Sequence, residues 1–217
     1  MSTQWLPVAQ DQRIDLLGEL DAATRDVWIA LHGYGQLVAF FQRHFRSCVV
    51  EGRAFVFPQG QHKFYLNGVS GRVGASWMTK DEREKDIENQ RKYLSEVMRW
   101  ARGQCPQARF HLIGFSQGVA TGMRFLGYTP EPFHSLLAWA GSWPPDLDSK
   151  SLDALRKLQF QGWFGSDDAF IGTEKQREIL QWYKEKYEWV PEVGYYEGGH
   201  AFDKAILKSE IERLERL

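Results

Sequence analysis

The run Arg109-Phe110-His111-Leu112-Ile113-Gly114-Phe115-Ser116-Gln117-Gly118 constrains this chain more than any other stretch. A largely apolar segment ends abruptly in Gly-X-Ser-X-Gly. Val119, Met123 and Leu126 then recur at helical spacing before Gly127 and Pro130 close the segment. A buried strand, a sharp turn with serine at its apex and a packed helix fit this pattern. Gly114 and Gly118 suit such a turn because a β-carbon at either position would crowd the approach of strand and helix. A serine held in this way presents its hydroxyl above the end of a sheet. Five such residues also occur in ordinary tight turns, so the rest of the chain has to supply the partners that an active serine needs.

The flanking segments predict where those partners could come from. Residues 5–31 read as strands: Gln12–Leu17 alternates like an edge strand, and Val27–Leu31 is a short apolar run suited to a central one. That run ends in His32-Gly33-Tyr34-Gly35, where glycines can expose backbone N–H groups. An oxyanion-binding turn and a plain strand-to-helix turn fit these four residues equally. Val38–Cys48 reads as a helix, Arg53–Phe57 as a buried strand stopped by Pro58, and 59–78 as a long irregular loop walling a site. Thr79-Lys80-Asp81-Glu82 has the form of a capping box opening a helix to about Arg102. Strands follow at Phe133–Ala140, Leu158–Phe164 and Val193–Tyr196. The last two are separated by a helix that a second capping box at Thr173–Gln176 would open. A terminal helix turns Leu207, Ile211 and Leu214 inward. Strands first, then repeated strand–helix units, predict an α/β fold: a mostly parallel central sheet with helices on both faces. With no linker or repeat, residues 1–217 form one expected domain without a large lid.

Composition removes several function classes. Net charge is −1 with cations and anions interspersed, so nucleic acid has no electrostatic footprint to bind. No metal-ligand spacing, phosphate loop or dinucleotide motif occurs, so no metal or cofactor is expected. Cys48 and Cys105 lie in unrelated segments and read as free thiols of a reducing compartment. No signal-like start and no apolar run of membrane-spanning length is seen, which predicts a cytoplasmic protein without a stable membrane anchor.

A serine hydroxyl needs a base within hydrogen-bond reach, and the base needs an orienting acid. In a parallel sheet the reactive groups gather beyond the carboxyl ends of the strands. One histidine directly follows a late strand: His200, behind Gly198-Gly199. Two acids do so, Asp167 and Asp168. His111 and His134 read as strand residues, His44 and His62 as surface residues, and His32 as a brace within the glycine turn.

These residues resemble the phospholipase/carboxylesterase family of small α/β-hydrolases, which includes acyl-protein thioesterases. Leu31-His32-Gly33-Tyr34-Gly35, the elbow Gly114–Gly118, Ser142-Trp143-Pro144 and Gly199-His200 match its motifs from about Trp28 to the last helix. The resemblance implies an α/β-hydrolase fold. It aligns Phe164-Gly165-Ser166-Asp167-Asp168 with the acid motif, which puts the acid at Asp168 and leaves Asp167 at the surface. It further implies a Ser116–Asp168–His200 triad, an oxyanion hole from the Tyr34 and Gln117 backbone N–H groups, and a substrate groove near Trp77 and Trp143. Phe164 and Gln36 depart from the family pattern and bear on substrate choice. The implied substrate is a small-molecule acyl ester or thioester. Peptidase or amidase chemistry, and ligand binding without turnover, remain open alternatives on the same residues.

Overall fold

The computed structural model describes residues 2–217. Its centre is a seven-stranded sheet: β1 (Ile14–Leu17), β2 (Asp26–Leu31), β3 (Arg53–Pro58), β6 (Arg109–Phe115), β7 (Ser135–Trp139), β8 (Gln159–Gly165) and β9 (Glu192–Tyr196). The spatial order is β1-β3-β2-β6-β7-β8-β9. Only the edge pair β1 and β3 is antiparallel; every other pair is parallel. A separate antiparallel hairpin joins β4 (His62–Tyr65) to β5 (Val73–Ser76).

Alternation along the strands divides the core into two layers. Val27, Ile29 and Leu31 of β2 and Leu136 and Ala138 of β7 face one side. There they meet α2 (Arg83–Gln104), α3 (Gln117–Tyr128), α4 (Ser149–Arg156) and α5 (Thr173–Tyr187). Trp28, Ala30, Leu137 and Trp139 face the other side, against the short α1 (Val38–Phe41) and the terminal α6 (Lys204–Arg216). In α6, Leu207, Ile211 and Leu214 recur at intervals of four and three and are all buried. Burying each contributes about 2 kcal/mol. Asp203 starts this helix by accepting the Ala205 and Ile206 N–H groups, both at 2.9 Å.

Several local expectations are corrected. Residues 5–13 form no strand; pairing begins at Ile14, opposite Pro58. The segment Val38–Cys48 is one turn of α-helix continued as a 3-10 helix over Gln42–Cys48, which brings Val38, Phe41, Phe45 and Cys48 into the core. The stretch 59–78 is a hairpin rather than an irregular loop. Its glycines hid this, because they serve the hairpin in two ways: Gly68 and Gly71 take positive φ in the turn, and a β-carbon on Gly74 would lie 2.5 Å from the Gly35 carbonyl oxygen.

Neither expected capping box forms. Glu82 adopts φ 49°, so α2 begins at Arg83, and the Thr79 N–H instead donates to Asp86 Oδ2 at 3.1 Å. At α5 the first residue is Thr173, and Gln176 turns inward to donate to the Gly165 and Ile171 carbonyls at 2.8 and 2.7 Å. A carbonyl at the end of β8 and one just before α5 thus compete successfully for that side chain.

Candidate active site

The turn after β6 is strained at one residue. Ser116 has φ 53° and ψ −118°, a conformation that side-chain-bearing residues rarely adopt. The neighbours hold it there. Ser116 N–H donates to the Trp139 carbonyl at 2.9 Å, and its own carbonyl accepts the Val119 N–H at 3.1 Å. A β-carbon on Gly118 would stand 2.2 Å from the Leu31 carbonyl oxygen, and one on Gly114 2.6 Å from that of Gly118. Glycine is therefore required on both sides of the serine for α3 to sit against β2 and β6.

The loops after β8 and β9 supply the partners of the serine hydroxyl. After β8, Asp168 is buried, and its Oδ1 accepts the Phe170 and Ile171 N–H groups at 2.8 and 2.9 Å. Its Oδ2 lies 2.7 Å from His200 Nδ1, and His200 Nε2 lies 2.9 Å from Ser116 Oγ. Asp168 sets the tautomer: Nδ1–H donates to the carboxylate, leaving Nε2 to accept the serine hydroxyl. The His200 side chain is 16% exposed and the Asp168 side chain 0%. Rings of Phe115 and Phe170 flank the imidazole at 5.0 and 4.8 Å between centroids. The loop carrying His200 is pinned by Tyr196, whose hydroxyl bonds the Gly199 and Ala201 carbonyls, and by Trp139 Nε1 on Ala201. Asp167 is exposed and accepts only the Ser166 hydroxyl.

The turn after β2 is equally constrained. His32 is buried; its Nδ1–H donates to the Gly33 carbonyl at 2.7 Å, and Nε2 accepts the Gly60 N–H at 2.8 Å. Burial lowers the His32 pKa to about 4 against the opposing pull of the Gly33 hydrogen bond, so the ring is neutral at neutral pH. Gly33 N–H donates to Gln36 Oε1, Gly35 N–H to the Ala75 carbonyl and Gln36 N–H to the Gly33 carbonyl. Among the described residues the Tyr34 N–H has no acceptor. The Gln117 N–H opens α3 and so has no intrahelical acceptor. Tyr34, Ser116 and Gln117 line one groove of about 770 Å³.

Trp143 lies in the wall of that groove. Trp77 does not: it is 0% exposed, and its Nε1 donates to the His32 carbonyl at 2.8 Å. It braces the turn from within the core, because an indole N–H needs an acceptor and the end of β2 offers one. Sequence reasoning missed the side-chain role of Gln117. Its Oε1 accepts the Trp77 N–H and its Nε2 donates to the Met78 carbonyl, both at 3.0 Å, tying the hairpin's end to the serine turn. It also missed Lys80, Arg83 and Arg124 in the groove wall. A signal existed for the last: Gln117, Ala120 and Arg124, spaced by three and four, share one face of α3.

A second Ser–His–Asp set exists at the opposite end of the sheet. His111 contacts Ser135 Oγ at 2.7 Å and Asp26 Oδ1 at 3.1 Å. All three residues are buried, and the set ties β2, β6 and β7 together. Among the described residues no group of three or more His, Cys, Asp or Glu side chains could hold a metal ion, and no helix is long and apolar enough to cross a membrane.

A comparison with curated proteins gives no match. Solved structures do match in fold. Acyl-protein thioesterase 2 of Zea mays superposes with a TM-score of 0.71 at 12% identity, over 94% of this chain and 99% of that one. Esterase PE8 gives 0.69 at 17% identity over 94% and 100%. The Bacillus cereus carboxylesterase gives 0.68 at 15% identity over 94% of each. These likenesses establish an α/β-hydrolase fold without a large lid. The family model described as Phospholipase/Carboxylesterase matches residues 19–216. With that match covering nearly the whole length, the chain belongs to the phospholipase/carboxylesterase family.

Proposed function

We propose that this protein is a serine hydrolase, one domain over residues 1–217, that cleaves carboxylic esters or thioesters through an acyl-serine intermediate. The observation that carries this reading is the unbroken relay from Ser116 Oγ through His200 to the buried Asp168, with contacts of 2.9 and 2.7 Å. Family membership and the fold of esterases and a thioesterase support the same class of reaction.

The chemistry follows from the relay. Ser116 Oγ attacks the substrate carbonyl carbon as His200 Nε2 takes its proton. Asp168 stabilises the imidazolium that forms and keeps Nε2 facing the serine. The oxyanion of the tetrahedral intermediate accepts hydrogen bonds from the Tyr34 and Gln117 N–H groups, which support this role by standing free on the Ser116 groove. The C–O or C–S bond to the leaving group breaks, and His200 returns the proton to the departing oxygen or sulfur. Water, deprotonated by His200, then attacks the acyl-serine, releasing the acid and restoring the serine hydroxyl. Cys48 and Cys105 are both free and buried, which agrees with the proposed cytoplasmic setting.

The test is intact mass before and after a fluorophosphonate probe. One adduct on the wild type and none on Ser116→Ala is the expected result. A folded wild type that takes no adduct and turns over no ester or thioester would overturn the reading in favour of ligand binding without turnover.

A further inference from the structure

The groove is chemically uneven. Near His200 its wall includes Phe170, whose ring lies 4.8 Å from the imidazole; eight residues along α3 from Ser116 it is walled by the largely buried Arg124, with Arg83 at the start of α2 joined to it through Asp146 and Lys80 just before that helix. Three cations and no carboxylate line it. Asp146, just outside, takes up part of this charge. It bonds Arg124 Nη2 at 2.9 Å and Arg83 Nη2 at 2.8 Å. Burial alone would raise the Asp146 pKa, but the two guanidinium groups prevail and lower it to about 2, so it stays ionised. Arg83 also meets the exposed Glu84. Lys80 is exposed and takes part in none of these pairs. The cationic end therefore keeps a free ammonium, backed by guanidinium groups whose geometry Asp146 holds.

The direction of the reaction decides which part of a substrate meets that end. His200 must return a proton to the leaving atom, so the leaving group lies on the His200 side, against Phe170. The acyl group then extends away from His200, along the Gln117–Ala120–Arg124 face. Eight residues of helix separate Ser116 from Arg124, a rise of about 12 Å. We propose that the preferred substrate is an ester or thioester whose acyl chain ends in a carboxylate, held by Lys80 with Arg83 and Arg124, several bonds from the scissile carbonyl. This rests on the reading of Ser116 as the nucleophile.

The test uses nitrophenyl esters of one eight-carbon acyl chain, ending either in a free carboxylate or in its methyl ester, with a third ester carrying the carboxylate on the leaving group instead. The wild type is expected to favour the carboxylate-ended acyl chain over its methyl ester in kcat/KM by about fivefold at low salt, the size of one well-placed exposed charge pair. The preference should shrink in 0.5 M NaCl and fall below one in Lys80→Glu. The ester with its carboxylate on the leaving group should gain nothing. Turnover of the paired esters at equal rates, or a ratio indifferent to Lys80→Glu, would overturn the proposal. An advantage for the leaving-group carboxylate would overturn it equally. Absence of all turnover together with absence of fluorophosphonate labelling would instead remove the hydrolase reading beneath it.

Discussion

At the scale of single residues, two adjacent aspartates separate by environment. Asp168 is enclosed, accepts two backbone N–H groups and meets His200, whereas Asp167 points to solvent beside Ser166. If Asp168 orients the histidine, Asp168→Asn should lower kcat about ten-thousandfold while Asp167→Asn stays within a few-fold of wild type. Steady-state kinetics on a nitrophenyl ester would show this, and a reversed ranking would reassign the acid. His32 gives a pH dependence. Its folded-state pKa of about 4 lies below the ordinary histidine value of about 6.5. Between these values the unfolded chain binds a proton that the folded chain does not. Stability is therefore full above pH 6.5 and is lost as pH falls toward 4, by roughly 3 kcal/mol. Urea unfolding at pH 7 and pH 4.5 should show the loss, and His32→Gln should lose less over the same interval. Equal losses in both proteins would show that other groups dominate acid sensitivity.

At the scale of elements, the serine turn, the turn after β2 and the hairpin behave as one assembly. Gly35 N–H bonds the Ala75 carbonyl, Trp77 Nε1 bonds the His32 carbonyl, and the Gln117 side chain holds the Trp77 N–H and the Met78 carbonyl. Gln117→Ala should leave the Trp77 N–H without an acceptor, at a cost of about 1–3 kcal/mol. Amide exchange at residues 76–78 should quicken in this variant while α6 exchanges as before. Unchanged protection at Trp77 would mean that the clamp is not what orders the hairpin's end. The strand and helix cores of these elements were legible because each apolar run is buried on both sides and each helix keeps its three-four spacing. The hairpin was not, since its strands are only four residues each, β4 is largely exposed and β5 carries Gly74. The capping boxes misled for a related reason: Thr79 and Gln176 found stronger partners in Asp86 and in the carbonyls of Gly165 and Ile171 than the helix ends offered.

At the scale of the whole molecule, the end of the sheet opposite the groove is closed by Glu215 near the end of α6. Its carboxylate accepts Trp28 Nε1 at 2.8 Å and pairs with the buried Arg53, and its carbonyl accepts Arg109 Nη2 at 2.6 Å. One residue so links β2, β3 and β6 to the last helix. Glu215→Ala would leave the Arg53 guanidinium buried without its carboxylate, a loss of about 3 kcal/mol and a drop in Tm on the order of 10 °C. Calorimetry checks this, and a Tm within 2 °C of wild type would contradict it. The sequence by itself determined the order of the main strands and helices, the serine turn, His200 as the expected base and, through the family resemblance, Asp168 rather than Asp167 as the expected acid. The first of these follow from local periodicity and from where glycines permit sharp turns, the last from motif alignment. Only the tertiary structure decided that Trp77 is a brace and not a wall, that the Gln117 side chain clamps the hairpin's end, and that Lys80, Arg83 and Arg124 share the groove with Ser116. These depend on how residues far apart in the chain are brought together by packing, and no local pattern encodes that distance.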